Sequence, residues 1–97
     1  MDAIINQVRI PKEILSFVSR EMANRVFISI ETNNRQQWST ADQIIQSLHI
    51  GDSVNFDIED SHYNSLRETG KIDDIKVDDD RSASKKIHIA ITIKRES

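Results

Sequence analysis

Residues 86–94 read KIHIAITIK, and the alternation in this stretch decides the class of fold. Isoleucine occupies every second position from Ile87 to Ile93, whereas the positions between are polar or small. Period-two alternation of β-branched residues is typical of a strand with one face on a core and the other toward solvent or a partner. The stretch therefore predicts a strand of an antiparallel sheet.

Two upstream stretches alternate in the same way. Residues 25–32 and 52–59 carry apolar side chains at every second position, namely Val26, Ile28 and Ile30 in the first and Val54, Phe56 and Ile58 in the second. A fourth strand is predicted for residues 71–77, after Gly70 and a polar connection over residues 60–69. Ile72 is out of phase with Ile75 and Val77, and a β-bulge near Asp73 and Asp74 would restore the register.

The N-terminal half predicts two helices. Pro11 suits the first position of a helix, and Ile14, Val18 and Met22 then recur at four-residue spacing, which favours an amphipathic helix over residues 11–22. Phe17 lies off that stripe. A second helix is predicted to start at Ser39 or Thr40, where Thr40 and Gln43 fit a capping box, and to end at Gly51. Its apolar stripe consists of Ala41, Ile44, Ile45 and Leu48.

These elements predict one α+β domain, residues 1–97, in the order (β)-α-β-α-β-β-β. The first strand is in parentheses because residues 4–10 fit either a strand or a helical turn. We expect a mostly antiparallel sheet, or a small partly open barrel, of four to five strands with two helices. The turn pattern of residues 48–77 is similar to that of small SH3-like and OB-like barrels, in which a Gly-Asp turn leads into a strand and a glycine starts the next.

The composition excludes several classes of site and suggests a compartment. The chain has no cysteine, so disulfides and thiolate metal sites are excluded, and a reducing compartment is expected. No apolar run approaches the roughly 20 residues that span a bilayer, and the N-terminus lacks the pattern of a signal peptide. We expect a soluble cytoplasmic protein that does not bind membranes.

The charges are distributed unevenly along the chain. Ten acidic and three basic residues lie between Asp52 and Asp80, a local net charge of −7, whereas residues 81–97 carry five basic residues and one acidic residue. One interpretation is that the two signs pair across adjacent strands of the sheet. The other is that the acidic stretch forms a surface for a basic partner.

No motif for catalysis, phosphate binding or metal binding is present. With two glycines, the chain contains neither a nucleophile elbow nor a phosphate-binding loop. His62 with Asp57, Glu59 and Asp60 is the one local group of ligand types, and it lacks the spacing of a metal site. We therefore predict no enzyme, no cofactor and no bound metal.

The remaining hypothesis is a protein-interaction module of the inhibitor, immunity or accessory-subunit type that presents an acidic β surface to a protein partner. The candidate contact residues are the acids Asp57, Glu59, Asp60, Asp73 and Asp74, together with Arg35 and Trp38. Arginine and tryptophan are enriched at interface hot spots, although Trp38 equally suits a buried anchor at the start of the second helix.

The alternative function is a small-barrel nucleic-acid binder. It would use the bases near the last strand, Arg81, Lys85, Lys86, Lys94 and Arg95, with Tyr63 or Trp38 to stack on bases. The two functions differ in the placement of charge. A basic groove separate from the acids favours nucleic acid, whereas intermixed signs count against it.

Overall fold

The alternating stretches form a single antiparallel sheet in the computed structural model, which describes residues 2–21, 24–60 and 62–96. The strands are β1 (Ala3–Ile5), β2 (Val8–Ile10), β3 (Leu15–Glu21), β4 (Arg25–Thr32), β5 (Ser53–Glu59), β6 (Ser65–Asp80) and β7 (Lys86–Arg95). Their order across the sheet is β2-β1-β5-β6-β7-β4-β3. The α-helix α1 spans Trp38–Ser47, and 3-10 helices span Lys12–Ile14 and Arg35–Gln37.

One face of the sheet and the apolar stripe of α1 enclose the core. The four isoleucines of β7 are buried, as their alternation predicts, and Ala41, Ile44 and Leu48 of α1 are buried with them. Burial of apolar surface of this kind is the main favourable contribution to folding. The opposite face, called the outer face below, carries the polar residues of each strand, among them Asp57, Lys94 and His88.

The predicted fold class is wrong in its numbers of strands and helices. The described residues form a seven-stranded sheet with one α-helix, instead of four to five strands with two helices. The two terminal strands, β2 and β3, each pair with one neighbour, so the sheet has two edges. The additional strands lie in residues 3–10 and 15–21.

The first predicted helix is instead the short 3-10 helix Lys12–Ile14 followed by strand β3. Ile14 and Val18 are buried as the stripe required, because a four-residue spacing is also a multiple of the two-residue period of a strand. The segment forms a strand and not a helix because it pairs with β4, which places Val18 opposite Ile28. Met22 lies outside the described residues.

Residues 3–10 form a hairpin, whereas the sequence favoured one strand or one helical turn. β1 and β2 pair antiparallel, with Ala3 opposite Ile10, and Asn6 turns the chain with a φ of 55°. Asparagine tolerates this left-handed conformation better than most residues. The Asn6 amide oxygen also accepts the backbone N–H of Asn55 at 2.9 Å, which fastens the turn to β5.

The remaining helix differs from its prediction at both ends. It begins at Trp38 without a side-chain cap, so the Thr40–Gln43 capping box does not form the start. Asn34 caps the preceding 3-10 helix instead, because its side-chain oxygen accepts the N–H of Gln36 at 3.0 Å. The helix ends at Ser47, before Gly51, which lies in the following turn with a φ of 94°.

Strand β6 is more than twice as long as predicted, since it includes the second half of the expected connection over residues 60–69 and extends to Asp80. The predicted bulge is confirmed, because the pairing with β7 shifts between Ile72 and Asp74. Gly70 lies within the strand, where we expected a turn. A Cβ atom at Gly70 would lie 2.4 Å from the carbonyl oxygen of Lys94, so close approach of two backbones requires glycine there.

Candidate functional site

The acidic residues selected from the sequence lie at separate places in the sheet. Asp57 is on the outer face of β5, where its carboxylate pairs with the cross-strand Arg67 at 3.1 Å. Glu59 lies two residues further on, at the end of the same strand, and is half-exposed. The ion pair at Asp57 offsets the negative charge that we expected this position to present.

Asp60 has a structural role in the loop between β5 and β6. Its side chain is buried and accepts the backbone N–H groups of His62 at 2.9 Å and Asn64 at 2.8 Å. These hydrogen bonds, the one from Asn64 foremost, lower the pKa of the Asp60 carboxyl below its ordinary value, so it is ionised at neutral pH. The adjacent Tyr63, with a φ of 64°, is 84% exposed.

Asp73 and Asp74 lie at the bulge of β6, away from Asp57 and Glu59. Arg67, which is opposite Asp57, precedes Asp73 by six strand residues, or ~20 Å at the usual rise of a strand. The carboxylate of Asp73 contacts Arg25 at 3.3 Å, and that of Asp74 lies 3.9 Å from the ammonium of Lys76. The five selected acids therefore do not form one continuous patch.

Bases and acids are intermixed across the sheet, which counts against the nucleic-acid alternative. Lys86 pairs with Glu31 at 2.5 Å, and Arg95 pairs with Glu68. One row of bases, formed by Lys71, Lys94 and Arg25, crosses three adjacent strands on the outer face. Asp73 neutralises Arg25 within that row. The cation–π contacts of the described residues involve Trp38 and not Tyr63.

Trp38 acts as an anchor that joins the start of α1 to the β6–β7 turn. Its ring is partly buried against the core, and the guanidinium carbons of Arg35 and Arg81 lie 5.5 and 5.6 Å from its centre. Cation–π contacts of this kind are worth about 0.5–2 kcal/mol. The packing matches the anchor interpretation of Trp38, while Arg35 remains exposed.

Two carboxylates hold Arg81 over the Trp38 ring. Arg81 donates to both oxygens of Asp79, at 2.9 and 2.7 Å, and contacts Asp42 of α1 at 2.9 Å. The hydrogen bonds from Arg81 lower the pKa of Asp79, and those to Asp79 raise the pKa of Arg81. This group therefore keeps its charges and fastens the β6–β7 turn to the helix.

A short polar chain on the outer face links β3, β4 and β7. The Ser16 hydroxyl lies 2.9 Å from the Ser29 hydroxyl, which in turn lies 2.7 Å from Nε2 of His88. A serine beside a histidine is the pairing of a nucleophile with its base. Here Ser29 is buried and also contacts the Ser16 hydroxyl. We therefore interpret these hydrogen bonds as a link between the three strands and not as a catalytic pair.

The edge strand β3 was not predicted from the sequence. Among the strands that the structure describes, it pairs with β4 only and so forms one edge of the sheet. Phe17 on this strand is 47% exposed, and its ring centre lies 6.4 Å from that of Phe27 on β4. The position of Phe17 off the apolar stripe of the predicted helix was the available signal of this exposure.

A groove of about 210 Å³ runs beside β3. Its lining residues on β3 are Leu15, Ser16, Phe17 and Val18, and the remaining lining residues are Lys12, Glu59 and Asp60. Two of the selected acids are thus brought to the exposed strand edge. The other five selected residues, Asp57, Asp73, Asp74, Arg35 and Trp38, are not among the residues that line it.

The chain matches no protein-family model, no curated protein and no solved structure. In the part of the chain that the structure describes, no three His, Asp or Glu side chains are grouped so that they could hold a metal ion. Within the same ranges, no helix is long and apolar enough to cross a bilayer.

Proposed function

We propose that this chain is a small non-enzymatic protein-interaction module of the inhibitor, immunity or accessory-subunit type, and that it binds a protein partner along the edge of β3. The observation that carries the proposal is the position of β3 at an edge of the described sheet, combined with the exposed Phe17 on that strand. The absence of cysteine is compatible with the cytoplasmic location that we propose for it.

An unpaired strand edge offers its backbone N–H and C=O groups to a second strand. Natural sheets commonly protect such edges, because an exposed edge pairs readily with other chains. Protein modules use the same chemistry for recognition, in which main-chain hydrogen bonds supply affinity and side-chain pockets supply specificity. Seven residues are enough for an added strand of ordinary length.

Phe17 gives this edge an apolar anchor. Its ring and the neighbouring Phe27 form an aromatic pair on the outer face, where Ile4 on β1 is another exposed apolar residue. Burial of an aromatic side chain at an interface contributes strongly to binding, and hot spots are concentrated in such residues. The exposure of Phe17 is therefore explained if a partner covers it.

The acidic stretch has a supporting role in this proposal. The net charge of −7 between Asp52 and Asp80 attracts a basic partner over a distance and raises the rate of association. This count already includes Arg67, which pairs with Asp57. Bases from outside the stretch, such as Arg25 at Asp73 and Arg81 at Asp79, reduce the charge further but leave the stretch acidic overall. We therefore propose a partner whose contact surface is basic.

The test compares two exposed aromatic residues. Peptides are selected from a displayed random library against the wild-type protein, and their affinities are measured for Phe17→Ser and for the matched control Tyr63→Asn. Asparagine tolerates the positive φ of Tyr63. We expect Phe17→Ser to weaken binding about tenfold, as for an interface hot spot, and Tyr63→Asn to leave it unchanged. Selected peptides that bind Phe17→Ser as tightly as wild type would refute the proposal.

A further inference from the structure

The groove beside β3 combines an apolar wall with two carboxylates. Leu15, Phe17 and Val18 contribute the apolar surface, and Glu59 and Asp60 contribute the negative charge. The volume of about 210 Å³ equals the share of roughly seven waters in the liquid, which suits one long side chain rather than a whole strand.

The carboxylate of Glu59 is available for a ligand. The ion pairs between described residues engage Asp57 and Glu68 on the neighbouring positions of β5 and β6 but do not include Glu59. The Asp60 carboxylate is held by the N–H groups of its own loop and contributes a fixed negative charge. Lys12 is the one base of the groove lining, so the groove carries a net charge of −1.

From this geometry we infer that the strand added to β3 inserts one basic side chain, lysine or arginine, into the groove, with its stem on Leu15 and Val18 and its cationic head at Glu59. This inference rests on the proposed function, because it assumes that a strand pairs with β3. Basic side chains commonly bury their methylene stems along apolar surface while the head group stays at a polar site. Complementary charge of this kind supplies specificity more than affinity.

The experiment uses three synthetic strand peptides of alternating threonine and valine that differ at one central position, which is arginine, glutamine or glutamate. Each is titrated into isotope-labelled protein, and the shifted amide signals report the place and strength of binding. We expect all three peptides to shift residues 15–18, with the arginine peptide bound about threefold to fivefold more tightly than the glutamine peptide, as for an exposed ion pair.

Two charge variants of the groove complete the test. Glu59→Lys should reverse the order, so that the glutamate peptide binds best, and Lys12→Gln should strengthen binding of the arginine peptide. Both positions are solvent-accessible, so an unchanged spectrum of the free protein checks that the fold is kept. Equal binding of all three peptides at residues 15–18, in wild type and in Glu59→Lys, would overturn the inference and leave the proposed function intact. If none of the peptides shifts residues 15–18, both are overturned.

Discussion

The two edges of the sheet are built differently. The edge strand β2 has three residues, Val8–Ile10, and helix α1 packs beside it. The edge strand β3 has seven residues, pairs only with β4 within the described part of the chain, and exposes Phe17. Short length and a covering helix are two of the ways in which proteins protect a sheet edge. The first edge uses both, whereas the second uses neither.

This difference indicates where a partner binds. A protected edge supports the fold and offers no site for an added strand. An unprotected edge carries a risk of aggregation, which selection tolerates where the edge binds a partner. The β3 edge has a partial safeguard, since a bulge between Leu15 and Phe17 interrupts its ladder and Arg20 adds a charge.

The largest effect is expected for Phe56→Ala, on the protected side of the sheet. Phe56 is buried on β5, opposite Ile5 of β1, so truncation leaves a cavity beneath that edge. We expect a loss of ~3–5 kcal/mol in the free energy of unfolding, enough to unfold most of a domain of this size. Chemical denaturation measures this loss, and an unchanged melting temperature would show that the assigned strand facing is wrong.

A smaller but local effect is expected for Ile44→Ala in α1. Ile44 is buried between the helix and the sheet, so its truncation should cost about 2–4 kcal/mol and loosen the cover of β2. Hydrogen exchange should then accelerate more at residues 8–10 than at residues 15–21. Equal acceleration in both strands would mean that the helix does not protect the β2 edge.

Acid should weaken the loop that borders the β3 groove. The pKa of Asp60 is lowered in the folded protein, so its contribution to stability is present above its ordinary value of 3.8 and is lost as the pH falls below it. The wild-type protein should therefore lose more stability between pH 7 and pH 3 than Asp60→Asn does. Urea denaturation at both pH values measures the loss in the free energy of unfolding for each protein. Equal losses in wild type and Asp60→Asn would show that the ionised Asp60 does not stabilise this loop.

The smallest effect on stability is expected for Phe17→Ser. This residue is of the same type as Phe56 but lies on the outer face at the sheet edge, so its replacement should lower the free energy of unfolding by about 1 kcal/mol, mainly through the lost contact with Phe27. Denaturation under the conditions used for Phe56→Ala provides the comparison. A loss above 2 kcal/mol would mean that Phe17 supports the fold and is not free for a partner.

Strands with strict alternation could be predicted from the sequence, because the alternation shows which side chains point toward the core. The expected core residues Ile28, Val54, Phe56, Ile89 and Ile91 are all buried, and the bulge of β6 was located from the phase of Ile72. In these segments local pattern and tertiary packing agree, which is the condition under which sequence reasoning succeeds.

Strand β3 could not be predicted for a specific physical reason. Ile14, Val18 and Met22 recur at a spacing that a helix and a strand share, and pairing with the distant β4 decides between them. Since β3 was expected to be a helix, the unpaired edge and the groove beside it were not anticipated. Glu59 and Asp60 were selected for their charge, and only the fold shows that they line the same groove as Phe17.

The most direct test of the open β3 edge is residue-by-residue hydrogen exchange of the free, monomeric protein. In an edge strand of an antiparallel sheet, alternate N–H groups point away from the neighbouring strand. We predict that, within residues 15–21, the amides that face β4 exchange slowly and the alternate amides exchange at nearly the rate of an unfolded chain. Slow exchange of every amide in that range would contradict the account, because it would show that the β3 edge is already covered.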